Sequence, residues 1–499
     1  MLSTVRRLPS GVKLPLHTRT LATATATQSK PVYHAPKKEG DISSVFASLS
    51  GSEAVPLPAR FAELKSSLIQ NHEPALISSW SRLVSSLRSE IDHISTTGSS
   101  IIPTIPFSEI RNHSRVLPFS CSLRKRGVAV IRNVVPEEEA LGWKEEIRSY
   151  IAKNPQTKAF PQDNPAVYEL YWSPGQIKAR AHPNVLETQR TLMSFWSKKD
   201  KDALIATEIP VSYADRLRVR QPGDSGFALG PHVDGGSVER WEREGYGRGG
   251  VYDAVFEGRW EDFDPWENSC RLKIESDLYN GAGACSMFRM WQGWLSMSST
   301  GPGEGTLLVN PLFKLATVYY LLRPFFEARN QDKEASGYLD ESNWELADVQ
   351  SSVLQGATMG CTQELNEALH PHLELSKTMV HVPDVRPGDY VAWHCDSIHA
   401  VDKVHAGQED SSVMYIPACP LTEVNARYLV RQREAFLESI PGPDFPGGKG
   451  ESEHIGKMRK VDIERAGGED GLRAMGLASW EAQLESEREI VRTANSIVS

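Results

Sequence analysis

The sequence predicts a mainly β domain with flanking helices, an α+β chain built on a β-sandwich or jelly roll. Short runs rich in β-branched and aromatic residues recur through its middle. Strong turn signals separate them, as in Gly301-Pro302-Gly303-Glu304-Gly305. Helix-periodic stretches wrap these runs.

Taken in order, residues 58–96 read as helix. Phe61, Leu64, Leu68 and Ile69 recur at helical spacing, as do Trp80, Leu83, Leu87 and Ile91. Residues 127–135 are a β-branched strand. Pro136-Glu137-Glu138-Glu139 then opens a helix to about 151, with proline in the first turn and acids at the positive dipole end. A helix follows over 185–196 and a short strand over 216–220. Residues 239–265 are polar and rich in Gly, Trp and acids, which suits an insertion or lid. Strands are expected at 288–298, 305–310, 380–382, 390–393 and 413–416, with a buried helix over 312–329. The Pro/Gly run at 441–448 marks a boundary, and no internal repeat is found. The expected organisation is 1–38 as a targeting or disordered segment, 39–115 as a helical region, 116–435 as the β domain, and 436–499 as a linker and charged tail.

Composition narrows the function. The chain has 499 residues, 40% hydrophobic, with a net charge of −9. That balance argues against a nucleic-acid binder, which would present a basic surface. No apolar run is long enough to span a membrane. The six cysteines lack C-x-x-C spacing, so free thiols in a reducing compartment are expected. Residues 1–38 carry seven Arg or Lys and no acid, with many Ser and Thr. That composition predicts a mitochondrial transit peptide directing the protein to the matrix; the alternative is a cytoplasmic protein with a tail.

The chemistry is read from Pro231-His232-Val233-Asp234-Gly235-Gly236. Residues two apart on a strand share a face, so His232 and Asp234 can hold one ion from one side. A later histidine would complete two imidazoles and a carboxylate, the set that suits non-haem Fe(II) with open positions. His399 is the chosen third ligand. His394 competes with it. His381 and His405 are assigned to the surface or to supporting positions. Asp396 either orients a ligand imidazole or is a solvated turn carboxylate.

His232-Val233-Asp234, with Gly388-Asp389 and His399 ten residues after Asp389, resembles the Fe(II)/2-oxoglutarate dioxygenases of the phytanoyl-CoA hydroxylase type. Tyr171-Trp172-Ser173-Pro174-Gly175-Gln176 and Gln292-Gly293-Trp294 resemble, more narrowly, a fungal and bacterial branch that includes N-acetylglucosamine-induced proteins. The resemblance implies a double-stranded β-helix, the jelly-roll core shared with cupins. It also implies that His232, Asp234 and His399 hold Fe(II), that 2-oxoglutarate and O₂ are consumed, and that a small-molecule substrate is hydroxylated.

One departure stands out. The family places an arginine about eleven residues after the distal histidine, to hold the far carboxylate of 2-oxoglutarate. Here residues 408–413 contain neither Arg nor Lys. Arg289, which can grip a carboxylate bidentately, and then Lys273 are the expected replacements. Two other readings remain open: a cupin-like metal or small-molecule binding protein without turnover, and a zinc hydrolase using the same ligands.

Overall fold

The computed structural model describes Lys37, residues 45–48, 56–226, 228–281 and 284–499. Residues 36–499 form one compact unit. Two antiparallel sheets carry the site. The larger has eight strands in the order Thr104–Pro106, Val128–Arg132, Tyr390–His394, Trp291–Ser296, Ser411–Tyr415, Leu217–Arg220, Val167–Tyr168 and Ala159–Phe160. Only its edge pair, Thr104–Pro106 with Val128–Arg132, runs parallel. The smaller has five: Gln363–Glu364, His232–Val233, His399–Val401, Leu307–Val309 and Val380–His381. Among the described residues the two sheets do not join into a closed barrel.

Alternation along the strands sorts the large sheet into two faces. Leu217, Val219, Leu295, Met414, Tyr390 and Ala392 point one way and pack against helix residues such as Leu123, Trp143, Ile147 and Leu192. Trp294, Val391, Trp393 and Val413 point the other way and share a core with Leu307, Val309 and Val380 of the small sheet. The sheets thus meet face to face, with helices covering the outer surface of the larger one. The turn before Tyr390–His394 needs its glycine. Gly388 has φ +88°, and a Cβ there would stand 2.0 Å from the Val135 carbonyl.

Local departures from the expected elements have local causes. The first helix is two, Arg60–Ile69 and Glu73–Thr97, broken at Asn71 with φ +71°. The buried helix runs only Lys314–Leu322. Pro324 ends it, and the chain turns through a 3₁₀ segment into the strand Phe326–Ala328. Two paired strands, Ile205–Val211 and Cys419–Thr422, escaped the sequence reading because Pro210 and Pro420 interrupt their pattern. The insertion at 239–265 is no mobile lid: Trp241 and Trp260 are buried in the core between the sheets and helices.

The C-terminal stretch is likewise no free tail. Lys460–Ala474 and Arg488–Val498 are helices, and Ile463, Leu472, Trp480 and Ile490 are buried in one cluster with Ile177, Val211 and Leu429. Burial of such apolar side chains stabilises by roughly 1.5–3 kcal/mol each, which outweighs the solvated charges on the opposite faces. At the other end, the transit-peptide reading of residues 1–38 lies outside the described residues except at Lys37. That side chain is buried, ion-paired with Asp277, and donates to the Gly281 carbonyl at 2.7 Å. The fold therefore includes Lys37, two residues before the expected boundary.

Candidate metal centre

His232 and His399 sit directly opposite each other on adjacent antiparallel strands of the small sheet. Opposed residues share a face, so both imidazoles point toward the large sheet. Two residues past His232, Asp234 reaches the same point before Gly235 and Gly236, at φ +77° and +96°, turn the chain away. Nε2 of His232 lies 3.8 Å from Asp234 Oδ1, and Nε2 of His399 lies 3.5 Å from Oδ2. Donors about 2.0–2.2 Å from one ion lie at most about 4.4 Å apart, and both distances fall inside that limit.

Each imidazole is aimed by its other nitrogen. His232 Nδ1 contacts the Gly230 carbonyl at 2.7 Å and His399 Nδ1 the Ser397 carbonyl at 3.2 Å. A carbonyl can only accept, so each Nδ1 carries the proton and each Nε2 lone pair faces Asp234. Burial pushes the His232 pKa down to about 4, and the neighbouring His399 adds to this against the raising effect of Asp234. Burial works to raise the Asp234 carboxyl, but His399, His232 and Arg289 together hold it well below the usual carboxylate range. At neutral pH His232 is thus a neutral imidazole and Asp234 a carboxylate, the forms that ligate. Phe46 meets His232 edge-on at 4.9 Å, and the Trp393 ring lies 5.1 Å from that of His399.

The competing histidine has a different post. His394 is fully buried, stacked on Trp196 at 4.6 Å, and its Nε2 donates to the Pro265 carbonyl at 2.9 Å. Its Nδ1 accepts the Asp396 backbone N–H at 3.0 Å. Asp396 neither orients His399 nor faces solvent. It is buried, ion-paired with Arg271, 3.6 Å from Arg240 Nη1, and accepts from Tyr252 Oη at 3.1 Å. Arg240 in turn donates to the Asp234 carbonyl at 2.8 Å. Arg240 belongs to the Trp-rich insertion and Arg271 to the 3₁₀ turn Ser269–Lys273 that follows it, and neither was singled out from sequence. An arginine six residues past the His-x-Asp was the available signal. His405 is buried beside Gly305, not at the surface, and half-buried His381 bonds Asp402 at 2.6 Å.

The two expected cations part company. Lys273 ends a 3₁₀ turn with its side chain exposed, so it does not face the ligands. Arg289 is partly buried, with its guanidinium 5.5 Å from the Tyr213 ring, close enough for its charge to act on Asp234.

Comparison with known proteins agrees with the branch identified from the motifs. A crystal structure of GlcNAc Inducible Gene 2 from Candida albicans superposes with a TM-score of 0.79 at 30% identity, covering 90% of this chain and 96% of that one. A Salmonella typhimurium LT2 protein provisionally described as an oxidoreductase gives 0.71 at 29%, covering 85% and 99%. The Escherichia coli K12 protein YbiU is 31% identical over 400 residues, 78% of this chain and 88% of its own. With the Gig2-like family model matching residues 55–477, the chain belongs to the Gig2-like family.

Proposed function

We propose that the protein is a non-haem Fe(II)- and 2-oxoglutarate-dependent oxygenase acting on a small molecule, built on a double-stranded β-helix. The observation that carries this reading is the convergence of the His232 and His399 Nε2 atoms with the Asp234 carboxylate, each imidazole aimed by a backbone carbonyl at its Nδ1. Two neutral imidazoles and one carboxylate on one side of an ion, with other positions open, fit Fe(II). When bound there, iron with 2-oxoglutarate and O₂ would supply the oxidising power for C–H hydroxylation, releasing succinate and CO₂. The protein's own residues do the rest. The Gly230 and Ser397 carbonyls fix the imidazoles, Arg240 fixes the Asp234 backbone, and Phe46 and Trp393 shield the histidines from water. The two antiparallel sheets meeting on their inner faces support the jelly-roll reading. The description of the Salmonella relative as an oxidoreductase supports the reaction class.

The test is succinate formation from 2-oxoglutarate by the Fe(II)-loaded protein, with metal binding measured separately by calorimetry. Fe(II) binding without affinity for 2-oxoglutarate would return the protein to the class of cupin-like binders. We further propose that residues 1–36 are a mitochondrial import signal cleaved before Lys37, whose ion pair belongs to the mature fold. A native protein with Met1 or Leu2 at its terminus would overturn that.

A further inference from the structure

Resting on that reading, we infer that Arg218 receives the far carboxylate of the 2-oxo diacid, standing in for the late arginine that the chain lacks. The family's arginine would come from the strand Ser411–Tyr415 or the turn before it. In this chain Asp410 occupies that turn, held by Lys144 at 2.6 Å. Arg218 lies on the neighbouring strand, directly opposite Val413. Opposed residues share a face, and Val413 belongs to the core between the two sheets. Leu217 and Val219, on either side of Arg218, belong to the outer cluster. The guanidinium therefore enters the space between the sheets, on the side that His232 and His399 face.

Its depth is also suitable. Tyr415 lies two residues along the same face from Val413, about 7 Å on an extended strand. Tyr415, like Val413, packs against the core between the two sheets. A five-carbon diacid held at the ion by its 2-oxo end is long enough to extend along this face toward Arg218.

The charge of Arg218 is left without a counter-ion. The residue is 3% exposed, and among the described residues no carboxylate stands within ion-pair distance of it. Its Nη2 donates to the Gly305 carbonyl at 3.0 Å and to Ser411 Oγ at 3.4 Å, while its buried Nε has no partner. Arg220, one pleat along, shows the contrasting state, paired with Asp224 at 2.6 Å. Burial lowers the Arg218 pKa, and Arg220 adds to this against the raising effects of Tyr415, Asp402 and Asp224, none of which pairs with it directly. A buried guanidinium with an open donor and no counter-ion is a costly arrangement unless a ligand brings the anion.

Anaerobic titration of the Fe(II)-loaded full chain with 2-oxoglutarate and with pyruvate tests this. Pyruvate keeps the 2-oxo carboxylate and lacks the far one. Arg218→Met is expected to weaken 2-oxoglutarate binding roughly a hundredfold, the loss of paired charge-assisted hydrogen bonds, with pyruvate affinity unchanged. Arg218→Gln, which keeps a donor for Gly305 and Ser411 but no charge, is the second variant should the first fail to fold. It is expected to show the same selectivity. Lys273→Met, at an exposed side chain, is expected to spare 2-oxoglutarate. Retention of 2-oxoglutarate affinity within threefold by either folded Arg218 variant overturns the inference. So does an equal loss of both ligands, or a selective loss in Arg289→Met alone. If the wild-type protein binds Fe(II) but neither 2-oxo acid, the oxygenase reading fails as well, and the two failures are told apart.

Discussion

The fold gathers two trios of side chains of metal-ligand type, His232/Asp234/His399 and His394/Cys395/Asp396, each with its donor atoms within 4.8 Å of one another. They differ in which lone pairs are free. In the second, both His394 nitrogens are engaged by backbone, and Asp396 is neutralised by Arg271 and Arg240. In the first, both Nδ1 atoms are engaged and both Nε2 atoms are open. A cluster of ligand types is therefore not yet a site; the side of each imidazole that the backbone leaves unclaimed decides it.

The comparison breaks most visibly at the metal. Removal of a ligand, by His232→Ala or His399→Ala, is expected to lower Fe(II) affinity by more than the 10–100-fold typical when only a supporting hydrogen bond is lost. His394→Ala should bind Fe(II) as the wild type does. Calorimetric titration that gave the opposite ranking would exchange the roles of the two trios.

Next in size is a stability effect confined to the second trio. Asp396→Asn leaves Arg271 and Arg240 buried without their counter-charge, which costs about 3–5 kcal/mol in denaturant unfolding. Asp234, partly exposed and free of any arginine pair, is expected to cost much less when changed to Asn, while abolishing metal binding.

Acid sharpens the contrast further. Burial holds His394 neutral, with its pKa pushed down to about 3 against about 6.5 in an unfolded chain. Between those values the unfolded chain takes up a proton that the native state refuses. The His394 contribution is thus complete above about pH 6.5 and declines as the pH falls toward 3. His394→Asn should flatten this acid limb by up to a few kcal/mol, as read from unfolding free energies across that range.

The smallest effect concerns the N-terminal strap over the first trio. Phe46→Ala removes the edge-on ring from His232. An aromatic pair contributes about 0.5–1.5 kcal/mol beyond its area, so Fe(II) should be held only a few-fold less tightly. No change in the rate of metal loss to a chelator would show that the ring shields nothing.

How far these regions could be read in advance follows from the range of the interactions. His232 and Asp234 were legible because two residues on one strand share a face, a local rule. His399 over His394 was not decidable from spacing. The deciding contacts are backbone carbonyls, Pro265 for one ring and Ser397 for the other, and only the first comes from a distant segment. Arg271 and Arg218 were out of reach for the same reason. Their meaning comes from Asp396, on a remote turn, and from a strand pairing with Val413. The strands 217–220, 291–296 and 390–394 were visible as β-branched and aromatic runs. The C-terminal stretch was legible as a charged, partly helical tail, but its burial was not, because the stripe of Ile490, Val491, Ala494 and Val498 shows only once the helix is formed.

Arg240 touches both trios, donating to the Asp234 carbonyl while facing the Asp396 carboxylate. The two clusters are therefore thermodynamically linked through one guanidinium. Any preference of the metal-bound state for a given Asp234 backbone position must alter the Arg240–Asp396 contact by the same free energy that this contact returns to the metal. Occupancy at the first trio would then be readable at the second, in the indole environment of Trp196, which stacks on His394 away from the ion.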